Sequence, residues 1–147
     1  MHLPERALTT IIPIRFAHSD PAGIVYYPEY FRLFDDLLDD WMSDVLGLPY
    51  ADYLLRSDRM FPLLHMDIDF QHPRRMGDTI SLTLVLTHVG RSSFRYTIVG
   101  HDDGKLCLQA NFSCCAASKK TGKSVRIPDD VRAPMLAYLK ECDGWSA

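Results

Sequence analysis

Apolar residues change their spacing along this chain, and each change marks an element. In residues 8–16 they alternate, with Ile12, Ile14 and Phe16 on one side and Arg15 on the other. Successive side chains of an extended strand point to opposite faces, so this stretch is predicted to be a strand. In residues 28–46 the spacing becomes three and four. Phe31, Phe34, Leu38, Trp41 and Val45 keep that rhythm, while Arg32, Asp35, Asp36, Asp39 and Ser43 lie opposite. This predicts a long amphipathic helix. Pro28 suits its first turn, where a missing N–H is harmless, and Gly47 suits the position just past its end. Pro49 opens a second short helical stretch in residues 49–55.

Alternation then returns and persists. Leu64, Met66, Ile68 and Phe70 alternate with His65, Asp67, Asp69 and Gln71. After a turn containing Pro73 and Gly77, Ile80, Leu82, Leu84 and Leu86 alternate with Thr79, Ser81, Thr83, Val85 and Thr87. Gly90 to Ser92 turns the chain into Phe94, Tyr96 and Ile98, and Asp103-Gly104 is a strong hairpin turn. Leu106, Leu108, Ala110, Phe112 and Cys114 share one face of the next strand, and a helix is predicted over residues 129–141. There is no internal repeat, linker or low-complexity tract. Residues 1–147 therefore read as one α+β domain, a long apolar helix against an antiparallel sheet.

Composition narrows the function classes. A net charge of −3 gives no reason to expect nucleic-acid binding. No apolar run approaches the roughly 20 residues of a membrane span. The first residues lack the apolar core of a signal peptide, so a cytoplasmic protein is expected. Cys107, Cys114, Cys115 and Cys142 form no C-x-x-C pair, which favours buried reduced thiols over a disulfide framework or zinc site. The six histidines are scattered, none paired at i, i+4, and no metal site is expected.

The chemistry concentrates between the first strand and the long helix. Asp20 stands there, followed by Pro21 and Gly23. Two readings are open from spacing alone. Asp20 is a turn or cap residue, as aspartate often is, or it is a reactive acid beside a helix N-terminus. In the second reading, the unpaired N–H groups of the first turn polarise a docked carbonyl oxygen while an oxygen nucleophile approaches. Other hydrolytic designs lack their motifs: there is no G-x-S-x-G elbow, Walker loop or dinucleotide fingerprint.

The run Asp20-Pro21-Ala22-Gly23-Ile24-Val25-Tyr26-Tyr27-Pro28 resembles the signature of hotdog-fold thioesterases of the 4-hydroxybenzoyl-CoA thioesterase family. The resemblance covers nearly the whole chain. It implies a hotdog fold, an antiparallel sheet wrapped around a long central helix, and an acyl-CoA thioesterase acting on an aromatic or medium-chain acyl group. Asp20 would be the nucleophile or the general base, Gly23 would admit the thioester, and the backbone N–H near Tyr27 would hold its oxygen beside Tyr26. Phe61, Pro62 and Leu63 would line the acyl pocket. Phe61 is not the small polar residue of hydroxybenzoyl-specific relatives. Arg91 and Ser92, in the turn between two strands, would meet the phosphates of coenzyme A, with Lys119, Lys120 and Lys123 as a second basic group. Another branch of the fold carries its acid on the helix, which makes Asp36 and Asp39 alternatives to Asp20. His18 stands where many relatives have a second acid. The resemblance calls for no metal or redox cofactor, coenzyme A being part of the substrate. It implies a dimer, or a tetramer of two dimers joined through the Thr- and Ser-rich strand face, with the site where subunits meet. Alternatives on the same fold are a thioesterase for acyl carrier protein and a non-catalytic module that binds acyl thioesters.

Overall fold

In the computed structural model, residues 1–146 are described. The long helix α1 (Tyr27–Asp40) continues directly into a π turn, Trp41–Val45. The Leu46 N–H reaches back five residues to Trp41 O at 3.0 Å, and Gly47, at φ +73°, ends the helix where the sequence places the stop. The buried stripe is Tyr30, Leu33, Phe34, Leu37, Trp41 and Met42. This corrects the expected stripe. Phe31 and Leu38 sit at its margin, and Val45 faces out because the extra residue of the π turn shifts the helical phase.

Five strands form one antiparallel sheet in the order β1-β4-β5-β6-β3. They are β1 (Leu8–Pro13), β3 (Leu63–Phe70), β4 (Thr79–Val89), β5 (Ser93–Asp102) and β6 (Lys105–Cys115). A two-residue pair, β2 (Arg59–Met60) with β7 (Ala117–Ser118), lies apart, and α2 (Tyr50–Arg56) precedes β2. Asp103 and Gly104, at φ +47° and +78°, make the predicted β5–β6 hairpin turn. The inner face carries the predicted apolar residues of β4, β5 and β6 except Leu106, since the register shift at Gly100 and His101 buries Cys107 instead. Phe34 meets Phe112 at 5.7 Å between ring centroids, and Trp41 meets Phe94 at 6.5 Å. The polar face is not uniformly wet: Thr83, Val85, Thr97 and Val99 are buried at its centre. Thr83 satisfies its hydroxyl with Thr9 Oγ1 at 2.7 Å and His101 Nε2 at 2.9 Å.

The first strand is shorter than predicted. β1 stops at Pro13 because its partner β4 begins opposite, at Thr79. Ile14 is still buried, but Phe16 falls in a short 3₁₀ turn (Phe16–His18) and is 83% exposed. At its other end β1 leaves β4 unpaired beyond Leu84, and α3 (Asp129–Glu141, the predicted span) covers that stretch. Tyr138 Oη accepts the Leu8 N–H at 2.8 Å and donates to Leu84 O at 2.7 Å, taking the place of a strand-to-strand hydrogen bond. β3 is left as an edge, with Leu63, Leu64 and Phe70 exposed. The four cysteines are buried and unbridged. Among the described residues, no helix is long and apolar enough to cross a membrane.

Candidate active site

The Asp20 segment is a small, cross-braced loop. Ser19 lies opposite Val25, the Asp20 N–H donates to Ile24 O at 2.9 Å, and the Gly23 N–H donates to Asp20 O at 2.9 Å. Gly23 turns at φ +78°, a conformation that a side chain disfavours. The loop is tied to the approach to β4 by Val25 N–H to Arg74 O at 2.9 Å and Met76 N–H to Gly23 O at 3.0 Å. Asp20 Oδ1 accepts the Ala22 N–H at 2.8 Å. The carboxylate therefore closes its own turn with one oxygen, and the other has no partner among the described residues. His18 braces the same loop. Its Nδ1 accepts the Arg15 N–H at 3.0 Å, and its carbonyl accepts the Tyr26 N–H at 2.8 Å.

Helix α1 begins immediately after. Tyr26 is its cap, Pro28 has no N–H, and the Glu29 N–H donates to Tyr26 O at 2.8 Å. The Tyr27 N–H has no partner among the described residues, and the positive end of the helix dipole lies there. A cavity of about 210 Å³ opens beside it, with Ile24, Val25, Tyr27 and Tyr30 on one side and residues 70–74 on the other. Tyr26 is exposed against the Tyr27 ring at 5.5 Å and is not among the lining residues.

The far wall of this cavity is absent from the sequence-based candidates. Arg74, largely buried, places Nη2 2.8 Å from Asp102 Oδ2 and 3.3 Å from Asp78 Oδ2. His72 Nδ1 lies 2.8 Å from Leu106 O. A carbonyl only accepts, so Nδ1 carries the proton. Burial, with the Cys107 thiol next, pushes the Tyr30 phenol up to about 12. The local signal was a polar turn, Gln71-His72-Pro73-Arg74, between two apolar strands. Nothing in its spacing shows that it returns to the helix start.

The remaining candidates lie at the other end of the sheet. Leu63 and Phe94 both pair with Cys114, whereas Phe70 pairs with Leu108. Seven residue steps of β3 separate these ends, about 23 Å at about 3.3 Å per residue. Phe61, Pro62, Leu63, Arg91 and Ser92 therefore sit far from Asp20, Gly23 and Tyr27 of the same chain. Phe61 packs among Tyr53, Phe94 and Tyr50, at 6.0–6.5 Å between centroids. Arg91 is exposed on its turn, and the chain before α3 folds back on it through Ile127 N–H to Arg91 O at 2.9 Å. This brings in Arg126, paired with Asp129 at 2.7 Å, and Arg132, bound to Gly90 O at 2.6 Å. Lys119 and Lys120 gather instead with Arg56 around Asp58. On α1, Asp36 and Asp39 face solvent. Asp35 lines a cavity of about 150 Å³ with Leu63 and Phe112, and burial, then Asp36, pushes its carboxyl up.

A sheet curved on one long helix, with a carboxylate loop at the helix start, is the hotdog thioesterase architecture. The chain belongs to the thioesterase-like superfamily, whose profile matches residues 14–135. It is 27% identical over 115 residues to a 1,4-dihydroxy-2-naphthoyl-CoA hydrolase of Synechococcus elongatus, covering 76% of this chain and 82% of that one. It is 30% identical over 81 residues to the hydrolase of the same name from Crocosphaera subtropica, covering 55% of this chain and 58% of that one. Its fold matches a 1,4-dihydroxy-2-naphthoyl-CoA thioesterase from Synechocystis with a TM-score of 0.77 at 22% identity, over 87% and 94% of the two chains. It also matches a Staphylococcus aureus protein solved in complex with CoA, with a TM-score of 0.88 at 14% identity, over 100% and 92%.

Proposed function

We propose that this protein hydrolyses acyl-CoA thioesters, with an aromatic or medium-chain acyl group, at the start of α1. The observation that carries the reading is the Tyr27 N–H, left without a partner between the Asp20 loop and an apolar cavity. A thioester carbonyl oxygen seated on that N–H gains most where its negative charge is greatest, in the tetrahedral intermediate. Two routes are consistent with Asp20. As a base it takes a proton from water, and the water oxygen attacks the thioester carbon. As a nucleophile its free oxygen attacks directly, and water then opens the mixed anhydride. Either way the C–S bond breaks, the thiolate of CoA leaves with the electron pair and takes up a proton, and the free acid departs. The names of the Synechococcus and Crocosphaera relatives and the CoA complex of the Staphylococcus aureus protein support a CoA ester as substrate.

The two halves of the site lie at opposite ends of β3, and β3 has an open edge with exposed Leu63 and Leu64. Antiparallel pairing of two β3 edges about a two-fold axis would bring the Phe61–Leu63 end of one copy to the Asp20 end of the other. Arg91, with Arg126 and Arg132 beside it, would then meet the phosphates of a CoA whose thioester lies in its partner. A panel of acyl-CoA esters, read by release of free thiol, tests the reading. Turnover that depends on Asp20 is expected, and no turnover of any ester would overturn it.

A further inference from the structure

β1 ends at Pro13, so the chain that carries Asp20 has left the sheet before it reaches the site. Outside the α1 cap, four backbone hydrogen bonds hold residues 14–25 to the rest of the described chain, and all four end on residues 74–78. At the entry to the loop, the Ile14 N–H donates to Asp78 O at 2.8 Å and the Gly77 N–H to Ile14 O at 2.9 Å. At its exit, the Met76 N–H donates to Gly23 O at 3.0 Å and the Val25 N–H to Arg74 O at 2.9 Å. Asp20 and the approach to Tyr27 therefore go wherever segment 74–78 is placed.

One side chain anchors that segment to the sheet. Arg74 is 12% exposed, whereas every other cation in an ion pair among the described residues is at least 34% exposed. Its Nη2 meets Asp78 Oδ2 within the segment and Asp102 Oδ2 at the end of β5, and its Nη1 faces Cys107 Sγ at 3.8 Å. Asp78 Oδ2 also accepts the Arg75 N–H at 2.8 Å, which closes the turn. A guanidinium taken out of water needs such partners, and its planar fork fixes their directions. We infer that Arg74 is a positioning residue: its ion pair with Asp102 fixes residues 74–78, and through them the Asp20 loop against the start of α1. This rests on the thioesterase reading and adds a residue that acts through the loop rather than on the substrate. A misplacement of about 1 Å at the reacting groups costs up to about a hundredfold in rate, so an anchor of this kind shows in kcat.

Arg74→Met keeps the apolar stem and removes the fork. Asp78 and Asp102 are 37% and 38% exposed, so water takes over their charges and the fold survives. The expected result is a kcat loss of about ten- to a hundredfold with KM within about twofold. Asp102→Ala breaks the same tie from the hairpin side and should reproduce the loss, and the double variant should add nothing to Arg74→Met. Amide exchange reads the anchor without any substrate. The Val25 and Met76 N–H groups should exchange at least about tenfold faster in both variants, with the amides of β5 unchanged. Tyr138→Phe, remote from the loop, controls for lost stability and should leave kcat unchanged. A raised KM at full kcat, or a kcat loss with Val25 and Met76 still protected, would overturn the inference. So would fast exchange at full kcat. If the two amides lose protection and the wild type turns over no ester, the anchor stands and the hydrolase reading falls.

Discussion

At the scale of single residues, one carboxylate leaves room for both readings of Asp20. Oδ1 closes the turn through Ala22, and the second oxygen is uncommitted. Asp20→Asn separates these roles, because the asparagine carbonyl can still accept the Ala22 N–H while losing basicity and nucleophilicity. The expected result is a kcat loss of at least ~10² with an unchanged melting temperature. Asp35→Asn is the informative control, since Asp35, unlike Asp36 and Asp39, lines a cavity. If Asp35→Asn is inactive and Asp20→Asn is not, the acid lies on the helix. The His18 imidazole occupies its lone pair with the Arg15 N–H, so it serves the loop's shape.

Among the elements, α3 does more than cap the fold. It shields the part of β4 that β1 leaves bare, and Tyr138 Oη bridges the two strands at that point. Tyr138→Phe keeps the ring against Trp41, 5.5 Å away, but strands the Leu8 N–H and the Leu84 carbonyl. Urea unfolding should show a loss of about 1–3 kcal/mol, and a change within error would mean that solvent or strand shift replaces the bridge. The buried tyrosines also set an alkaline limit. Burial, the largest cause in each case, pushes Tyr30 and Tyr50 up to about 12, and Tyr96 and Tyr138 upward too. In the unfolded chain they ionise near 10. Above about pH 10 the unfolded state holds fewer protons than the folded one, so stability is full below that pH and falls as pH rises towards about 12. The urea midpoint should drop over that window, with phenolate absorbance appearing together with unfolding.

For the whole molecule, the separation of Asp20 from Arg91 makes assembly part of the proposed chemistry. Sedimentation at micromolar concentration should show a dimer or larger species, and Leu64→Lys, at a position 64% exposed on the β3 edge, should shift it towards the 16.8 kDa chain. A mixing experiment tests the shared site directly. Asp20→Asn and Arg91→Ala chains are each impaired at low CoA-ester concentration. A mixed dimer carries one site with both residues intact, so random re-association should restore about a quarter of wild-type activity. Absence of recovery in verified mixed dimers would place Arg91 outside the partner's site.

What this sequence determines by itself is local. The three-and-four spacing, Pro28 and Gly47 locate α1, the alternating runs locate the long strands, and Asp103-Gly104 and residues 129–141 fold as read. Asp20, Gly23 and Tyr27 were legible as a candidate site because a turn and a helix start adjoin in the chain, and their physics acts over a few residues. The rest needed cross-strand register, which periodicity does not carry. Arg74 meets Asp102 across 28 residues, and His72 reaches Leu106 across 34, so neither announced a wall of the cavity. Tyr30 stands outside the stripe read from the spacing, and only the strand end at Phe70, 5.7 Å away between ring centroids, makes it a wall of the cavity. Phe61 and Arg91 lie at the far end of β3 from Asp20 in the same chain, a separation that their spacing along the sequence does not show. Tertiary structure decided these points because a side chain's surroundings depend on which strands pair and where each one stops.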